Sequence, residues 1–290
     1  MEFWQAIAYT EPDQLVAFAQ CAEEFGFDGV TAGDHFVTPE RIRSPYPYTA
    51  DQVPWVRAED ASPDPLILAA ALAQVTERLR FMVTVYILPM REPISAAKSI
   101  SSAAVLTCDR LVLGVGVGWM REEFEATGHE YERRGRRCDE QLEVLQGLLR
   151  GGMFEHHGEF FDFPRLAMCP VPTQPVPILI GGDSDVALRR AARHGGWLGA
   201  HYDVAEIPAL VKRFDETREQ MGVGGEPHQV VVAINDLASV DQLWQLEASG
   251  VTAVINMPLT FRGHATSSLD QKRKSMEQFA LHYMAPFGKS

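Results

Sequence analysis

The chain has 290 residues, 46% of them hydrophobic and 22% charged, enough to bury a large core without help from disulfides or a metal. Lys and Arg number 26 against 39 Asp and Glu, a net charge of −13, and such a surface repels phosphate backbones and anionic lipid heads. Disordered, collagen-like and small disulfide-framework classes are excluded, and no nucleic-acid partner is expected.

Cys21, Cys108, Cys138 and Cys169 stand far apart with no Cys-x-x-Cys pair, so neither a zinc site nor a secreted disulfide framework is suggested, and a cytoplasmic location is expected. The start, Glu2-Phe3-Trp4-Gln5, has no basic or apolar leader character. No stretch approaches the roughly 18 apolar residues of a membrane span, and a soluble, unprocessed protein is expected.

Strand-length apolar runs alternate with longer amphipathic stretches, the pattern of βα units around a parallel sheet. The first strand is read as Phe3 to Ala8. A helix from about Pro12 to Phe25 follows, with Leu15, Phe18, Ala19, Ala22 and Phe25 at helical spacing and Gly26 as its stop. The second strand, Gly29 to Ala32, opens into a long Pro-, Tyr- and charge-rich segment from Asp34 to Ser62 before a helix from Pro65 to about Thr76. Strand three is Arg80 to Leu88 with its helix at Pro93 to Leu106. Strand four is Arg110 to Val115, followed by helical stretches from Glu122 and from Arg136 to Leu149.

Residues 151–175, with Gly158, two histidines and three prolines, read as an excursion off the scaffold. Strand five, Val176 to Ile180, meets Gly181-Gly182 and a helix from Ser184 to His194. Trp197 to Ala200, Gln229 to Ile234 and Val251 to Asn256 complete eight strands, with helices near Glu206 to Met221, Val240 to Ser249 and Ser268 to Tyr283. Eight such units predict a (β/α)8 TIM barrel in a single domain over 1–290, with insertions at about 34–62 and 151–175. A doubly wound open sheet is the alternative, because periodicity does not give the order of strands in space.

In a barrel the informative residues lie just past the C-terminal ends of strands. After strand two stand Asp34 and His35, a carboxylate beside an imidazole able to donate or accept a proton near neutral pH. The plainer alternative is a loop cap and a satisfied ring. After strand four, Gly114-Val-Gly116-Val-Gly118-Trp119 fails the dinucleotide fingerprint, which needs glycine where Trp119 stands. Gly116 still lets a flat ligand near the backbone and Trp119 can stack on it, against tight packing and a core tryptophan.

After strand five, Gly181-Gly182-Asp183-Ser184 opens a helix whose free N–H groups make an anion site, or whose Asp183 or Ser184 is an ordinary cap. In strand three the polar Thr84 stands in an apolar run. Arg121, Glu122 and Glu123 read as a solvated helix face, and His156 and His157 lack partners at metal-ligand spacing, so no metal is assigned.

Taken in order, these residues resemble the luciferase-like superfamily of flavin and deazaflavin barrel enzymes. The resemblance runs from about Ala17 to Pro258. It rests on Gly26-Phe27-Asp28-Gly29-Val30 with Asp34-His35, on Leu88-Pro89-x-Arg91-x-Pro93 with Ala97-Lys98, on Arg110 through Trp119 with Glu123-Phe124, and on Pro177 through Gly182 with Ala187 to Ala192 and Gly196-Trp197. Within the superfamily the pattern looks like the group dependent on coenzyme F420.

The resemblance implies a homodimer and an oxidoreductase moving a hydride between the deazaflavin of coenzyme F420 and a small organic substrate. His35 and Asp34 would lie near the ring, Val83, Thr84 and Val85 would form a supporting bulge with a non-prolyl cis peptide, and Gly181, Gly182, Asp183 and Ser184 would hold the phosphate. Arg41, Arg43 and Arg57 would offset the anionic tail. Two departures stand out: related sugar-phosphate dehydrogenases carry a glutamate at Trp119 and a tryptophan at Pro39, so glucose 6-phosphate oxidation is not expected. The alternatives are a reduced-FMN monooxygenase supplied by a flavin reductase, and a non-catalytic flavin-binding barrel. Tyr46, Tyr48, Trp55, Phe160 and Phe161 suggest an apolar, cyclic small-molecule substrate.

Overall fold

The computed structural model describes residues 1–49, 51–54, 56–235, 239–257 and 267–289. The first strand, β1 (Glu2–Ala6), leads through a 3-10 turn at Pro12–Gln14 into α1 (Leu15–Glu24) and returns to β2 (Gly29–Ala32). After the long segment come α2 (Pro65–Ala73), β3 (Arg80–Ile87) and α3 (Pro93–Leu106). Both helices start on a proline behind an acidic cap. Asp64 accepts from the Leu66 and Ile67 N–H groups at 2.9 and 3.0 Å, and Glu92 from those of Ile94 and Ser95 at 3.0 and 2.7 Å. Proline gives up an N–H that has no helical partner there anyway.

Then follow β4 (Leu111–Gly116), the short α4 (Arg121–Ala126), α5 (Arg134–Leu149), and the strands β5 (Met153–His157) and β6 (Asp162–Ala167). The chain continues with β7 (Ile178–Gly181), α6 (Asp185–Arg193), β8 (Gly196–Tyr202), α7 (Ile207–Gln220), β9 (Gln229–Ile234), α8 (Val240–Ala248), β10 (Ala253–Asn256) and α9 (Leu269–Phe279). A π-helical turn, Ala280–Met284, extends α9.

Eight strands close in the order β1, β10, β9, β8, β7, β4, β3, β2, all parallel, with Phe3 opposite Val254 on one side of β1 and Trp4 opposite Gly29 on the other. This is the (β/α)8 barrel, and closure leaves the sheet without an exposed edge. Residues 151–175 are more regular than the sequence suggests: β5 and β6 pair antiparallel. Exposure alternates along β5, whereas in β6 Pro164 and Arg165 are both exposed and interrupt the period. The hairpin is pinned by Glu140 of α5, whose carboxylate accepts from the Phe160 and Phe161 N–H groups and lies 3.1 Å from His156 Nε2.

The larger core layer lies between strands and helices; a smaller one, with Trp4, Met82, Val112, Leu179, Leu198, Val231 and Ile255, fills the barrel itself. Trp4 sits at the N-terminal end, where Arg80 covers its ring at 4.7 Å. A Cβ at Gly29 would come within 2.2 Å of that ring, so the glycine is what gives the indole its place. Among the described residues no helix is long and apolar enough to cross a membrane.

Candidate active site

The opposite end of the barrel holds a cavity of about 690 Å³, within the range of cofactor and ligand sites. The ends of β2, β3, β4, β7 and β8 all contribute to it.

The end of β2 is tied to the end of β3. Asp34 accepts two hydrogen bonds from Arg91, at 2.8 and 2.9 Å, and one from the Ile87 N–H at 2.8 Å. Arg91 is itself sandwiched, 3.8 Å from the Tyr86 ring and 4.2 Å from that of Phe36. Both oxygens of Asp34 are thereby engaged, and the group sets the path of the chain into His35.

His35 Nδ1 lies 3.0 Å from Glu123 Oε2, while the other oxygen of Glu123 accepts from the Phe36 N–H at 2.9 Å. A carboxylate only accepts, so Nδ1 carries the proton and Nε2 is left for the cavity. Glu122 holds the loop farther along. It accepts from the Arg43 N–H at 2.8 Å and from the Ser44 N–H and hydroxyl at 3.2 and 2.7 Å. Burial alone would raise this carboxyl, but the hydrogen bonds from Ser44 and Arg43 outweigh it and hold it down at about 2.

The expectation of a solvated face on α4 is therefore corrected for Glu122 and Glu123, which are 9% and 3% exposed. Residues 36–44 fold back over α4, and its two carboxylates accept from the N–H groups of Phe36, Arg43 and Ser44.

Strand β3 breaks register between Val83 and Tyr86, and its Thr84–Val85 peptide is cis, where the resemblance implies a bulge. Thr84 and Val85 both line the cavity. The side chain of Val85 lies over two glycines: a Cβ on Gly116 would come within 2.3 Å of it, and one on Gly181 within 2.8 Å. Gly116 lines the cavity, with Val85 taking the opening beside it. The valine forms a floor at the mouth.

At the far end, Ser184 caps α6, accepting from the Ala187 N–H at 3.2 Å. Gly182 has φ +102°, and a Cβ there would press Ala187 at 3.3 Å. Trp197 Nε1 donates to the Gly182 carbonyl at 2.8 Å and Tyr202 donates to Asp183 at 2.9 Å, fixing the turn from outside. The cap thus coexists with first-turn N–H groups that point out of the helix. Arg134, at the start of α5, lines the same cavity; its guanidinium donates to the Gly118 carbonyl at 2.9 Å and lies 3.7 Å from the Tyr131 ring. By contrast Arg43 and Arg57, expected to face an anionic tail, pair with Glu122, Glu125, Glu59 and Asp60.

Trp119 meets Tyr46 edge to face at 5.0 Å, and both line the cavity with Tyr48. Phe160 and Phe161 lie on the hairpin and are not part of it, while Trp55 lies outside the described residues. Tyr9, His201 and Tyr202, not singled out in the sequence, belong to the site or its support. Their sequence signal is position alone, since each lies at or just past a strand end. His156 pairs with Glu140, and the described residues contain no cluster able to hold a metal ion.

The arrangement is a mouth with a valine floor, an aromatic side, a held imidazole and an end suited to an anion. The family model for luciferase-like monooxygenases matches residues 2–241. The chain belongs to that family. An uncharacterized protein of Mycobacterium tuberculosis is 39% identical over 288 residues, 98% of this chain and 99% of that one. The F420-dependent glucose-6-phosphate dehydrogenase of Gordonia bronchialis is 28% identical over 190 residues, 64% of this chain and 52% of its own. The FMNH2-dependent dimethylsulfone monooxygenase of Pseudomonas putida is 28% identical over 200 residues, 67% of this chain and 54% of its own. Among solved structures, an F420-dependent secondary alcohol dehydrogenase superposes with a TM-score of 0.76 at 14% identity, covering 98% of each chain. This luciferase-like membership carries oxidoreductase or monooxygenase chemistry with it.

Proposed function

We propose that the protein is an oxidoreductase that works with coenzyme F420 on a small organic substrate. The observation that carries this reading is the imidazole of His35, turned by Glu123 so that Nε2 serves the cavity. Moving a hydride to or from a carbon beside oxygen leaves a charge that one proton must balance, and a ring held at the mouth is suited to that exchange.

The residues fit a deazaflavin with a phosphate-bearing arm. Val85 over Gly116 and Gly181 would support the ring, and Thr84 and Trp119 would flank it. Gly182, Ser184 and Arg134 would receive the phosphate, because first-turn N–H groups and a guanidinium suit an anion and Gly182 leaves room that a Cβ would fill. When bound, the coenzyme supplies hydride chemistry; the protein supplies orientation and the proton. Asp34, bound by Arg91, is assigned the role of positioning His35 rather than contacting substrate.

A second reading, a monooxygenase using reduced FMN delivered by a reductase, is favoured by the Pseudomonas putida relative, which matches as well as the F420-dependent one. Equilibrium dialysis of the purified protein against coenzyme F420, FMN and reduced FMN separates them. Micromolar or tighter binding of the deazaflavin with weaker binding of both FMN forms supports the proposal; preference for reduced FMN overturns it.

A further inference from the structure

Five rings follow one another across the mouth of the cavity. Centroid to centroid, His35 lies 6.4 Å from Trp119, Trp119 5.0 Å from Tyr46, Tyr46 5.4 Å from Tyr48, and Tyr48 6.1 Å from His201. The first three contacts are edge to face, at 80°, 71° and 77°. The series runs from the end of β2 to the end of β8, and every member lines the cavity. Its two tyrosines lie two and four residues past Ser44, which Glu122 binds together with Arg43, so the loop is anchored just before them.

The electrostatics beneath these rings point the same way. Asp34 is paired with Arg91 and His35 with Glu123. Burial pushes the His201 ring down to about 4 and, aided by Asp60 and Glu123, the Tyr9 hydroxyl up to about 12; Tyr46 and Tyr48 are raised as well, so all four are neutral at neutral pH. Among the described residues, the guanidiniums lining the cavity belong to Arg134 and Arg190, both at the α5–α6 end, and Arg190 is taken up by Asp139. An anion placed under the rings would give up its hydration while the nearby guanidinium of Arg134 is already bonded to the Gly118 and Tyr131 carbonyls. A flat neutral body would gain burial and ring contacts instead.

We infer that the space between Val85 and the Tyr46–Tyr48 stretch binds a neutral, flat, ring-bearing substrate with one hydrogen-bonding oxygen, and rejects carboxylates and phosphates. This inference rests on the proposed function in assigning the floor to a coenzyme, but the recognition it describes belongs to the protein's own side chains. Sugar phosphates are excluded on the same ground.

The test is calorimetric titration with three probes: 2-acetylnaphthalene, the equally sized anion 2-naphthoate, and glucose 6-phosphate. Each is titrated into the protein alone and into protein saturated with coenzyme F420. The neutral ketone is expected to bind at least tenfold more tightly than either anion and to leave coenzyme affinity undiminished. Tyr46→Leu and Tyr48→Leu should each weaken it fivefold or more, whereas Tyr46→Phe and Tyr48→Phe keep it within twofold, and thermal midpoints close to wild type verify that the variants fold. Tighter binding of an anion, indifference to the leucine substitutions, or competition between ketone and coenzyme overturns the inference. Failure of the coenzyme to bind while the ketone keeps its tyrosine dependence overturns the proposed cofactor and leaves the substrate class standing.

Discussion

Glu123 bridges two functions with one carboxylate: Oε2 lies 3.0 Å from Nδ1 of His35 and Oε1 accepts the Phe36 N–H at 2.9 Å. The imidazole and the backbone that carries it are therefore oriented by the same group. Glu123→Gln keeps the shape but offers an amide that can also donate, so the ring is no longer held in one tautomer. With the true substrate, we expect His35→Ala to lower kcat by about 10²- to 10³-fold, and Glu123→Gln to lower it by a smaller factor with coenzyme affinity unchanged. Steady-state kinetics beside equilibrium dialysis read the split, and an equal loss in coenzyme binding would count against a positioning role.

Asp34 and Arg91 form an ion pair whose side chains are 3% and 11% exposed. Removing one partner leaves the other charged and desolvated, at a cost of about 3–5 kcal/mol. Asp34→Asn is expected to lose that much in urea unfolding, and Asp34→Asn with Arg91→Met to recover a large part of it.

The carboxyl of Glu122, ordinarily near 4.5, is held at about 2 by Ser44 and Arg43. Because the folded state depresses it, its contribution to stability is present above its unfolded value and disappears as the pH falls through the folded one. Glu122→Gln should cost about 1–3 kcal/mol near neutral pH. The gap between variant and wild type in urea midpoint should close as the pH is lowered toward 2.

Gly116 and Val85 share one space, with a Cβ on the glycine falling 2.3 Å from the valine's Cγ2. Gly116→Ala overfills it and should cost about 1–3 kcal/mol. Adding Val85→Ala should restore part of the thermal midpoint while leaving the coenzyme less tightly held. A double-mutant cycle on the midpoints measures the coupling, and additive effects would show that the two side chains do not compete.

The barrel itself was legible from chain order, because each βα unit keeps its own hydrophobic period. Gly29–Ala32, Pro93–Leu106 and Gln229–Ile234 are bounded as read, their ends being marked by Gly, by Pro behind an acidic cap, and by a buried β-branched run. Strand closure was not legible, since order in space is set by long-range pairing such as Phe3 with Val254. Of the site, His35 and the Gly181–Ser184 turn stood out by position after a strand. The buried state of Glu122 and Glu123 did not, because their partners are 78 to 88 residues away. For the same reason Arg91 was visible as part of a motif but not as the partner of Asp34.

Trp4, seated on Gly29 and covered by Arg80, plugs the barrel from beneath. The barrel is filled at that end, and the described cavity lies at the other, where the loop carrying Tyr46 and Tyr48 lines it. The indole at one end of the barrel thus leaves the cavity to be built from the strand ends and loops of the other.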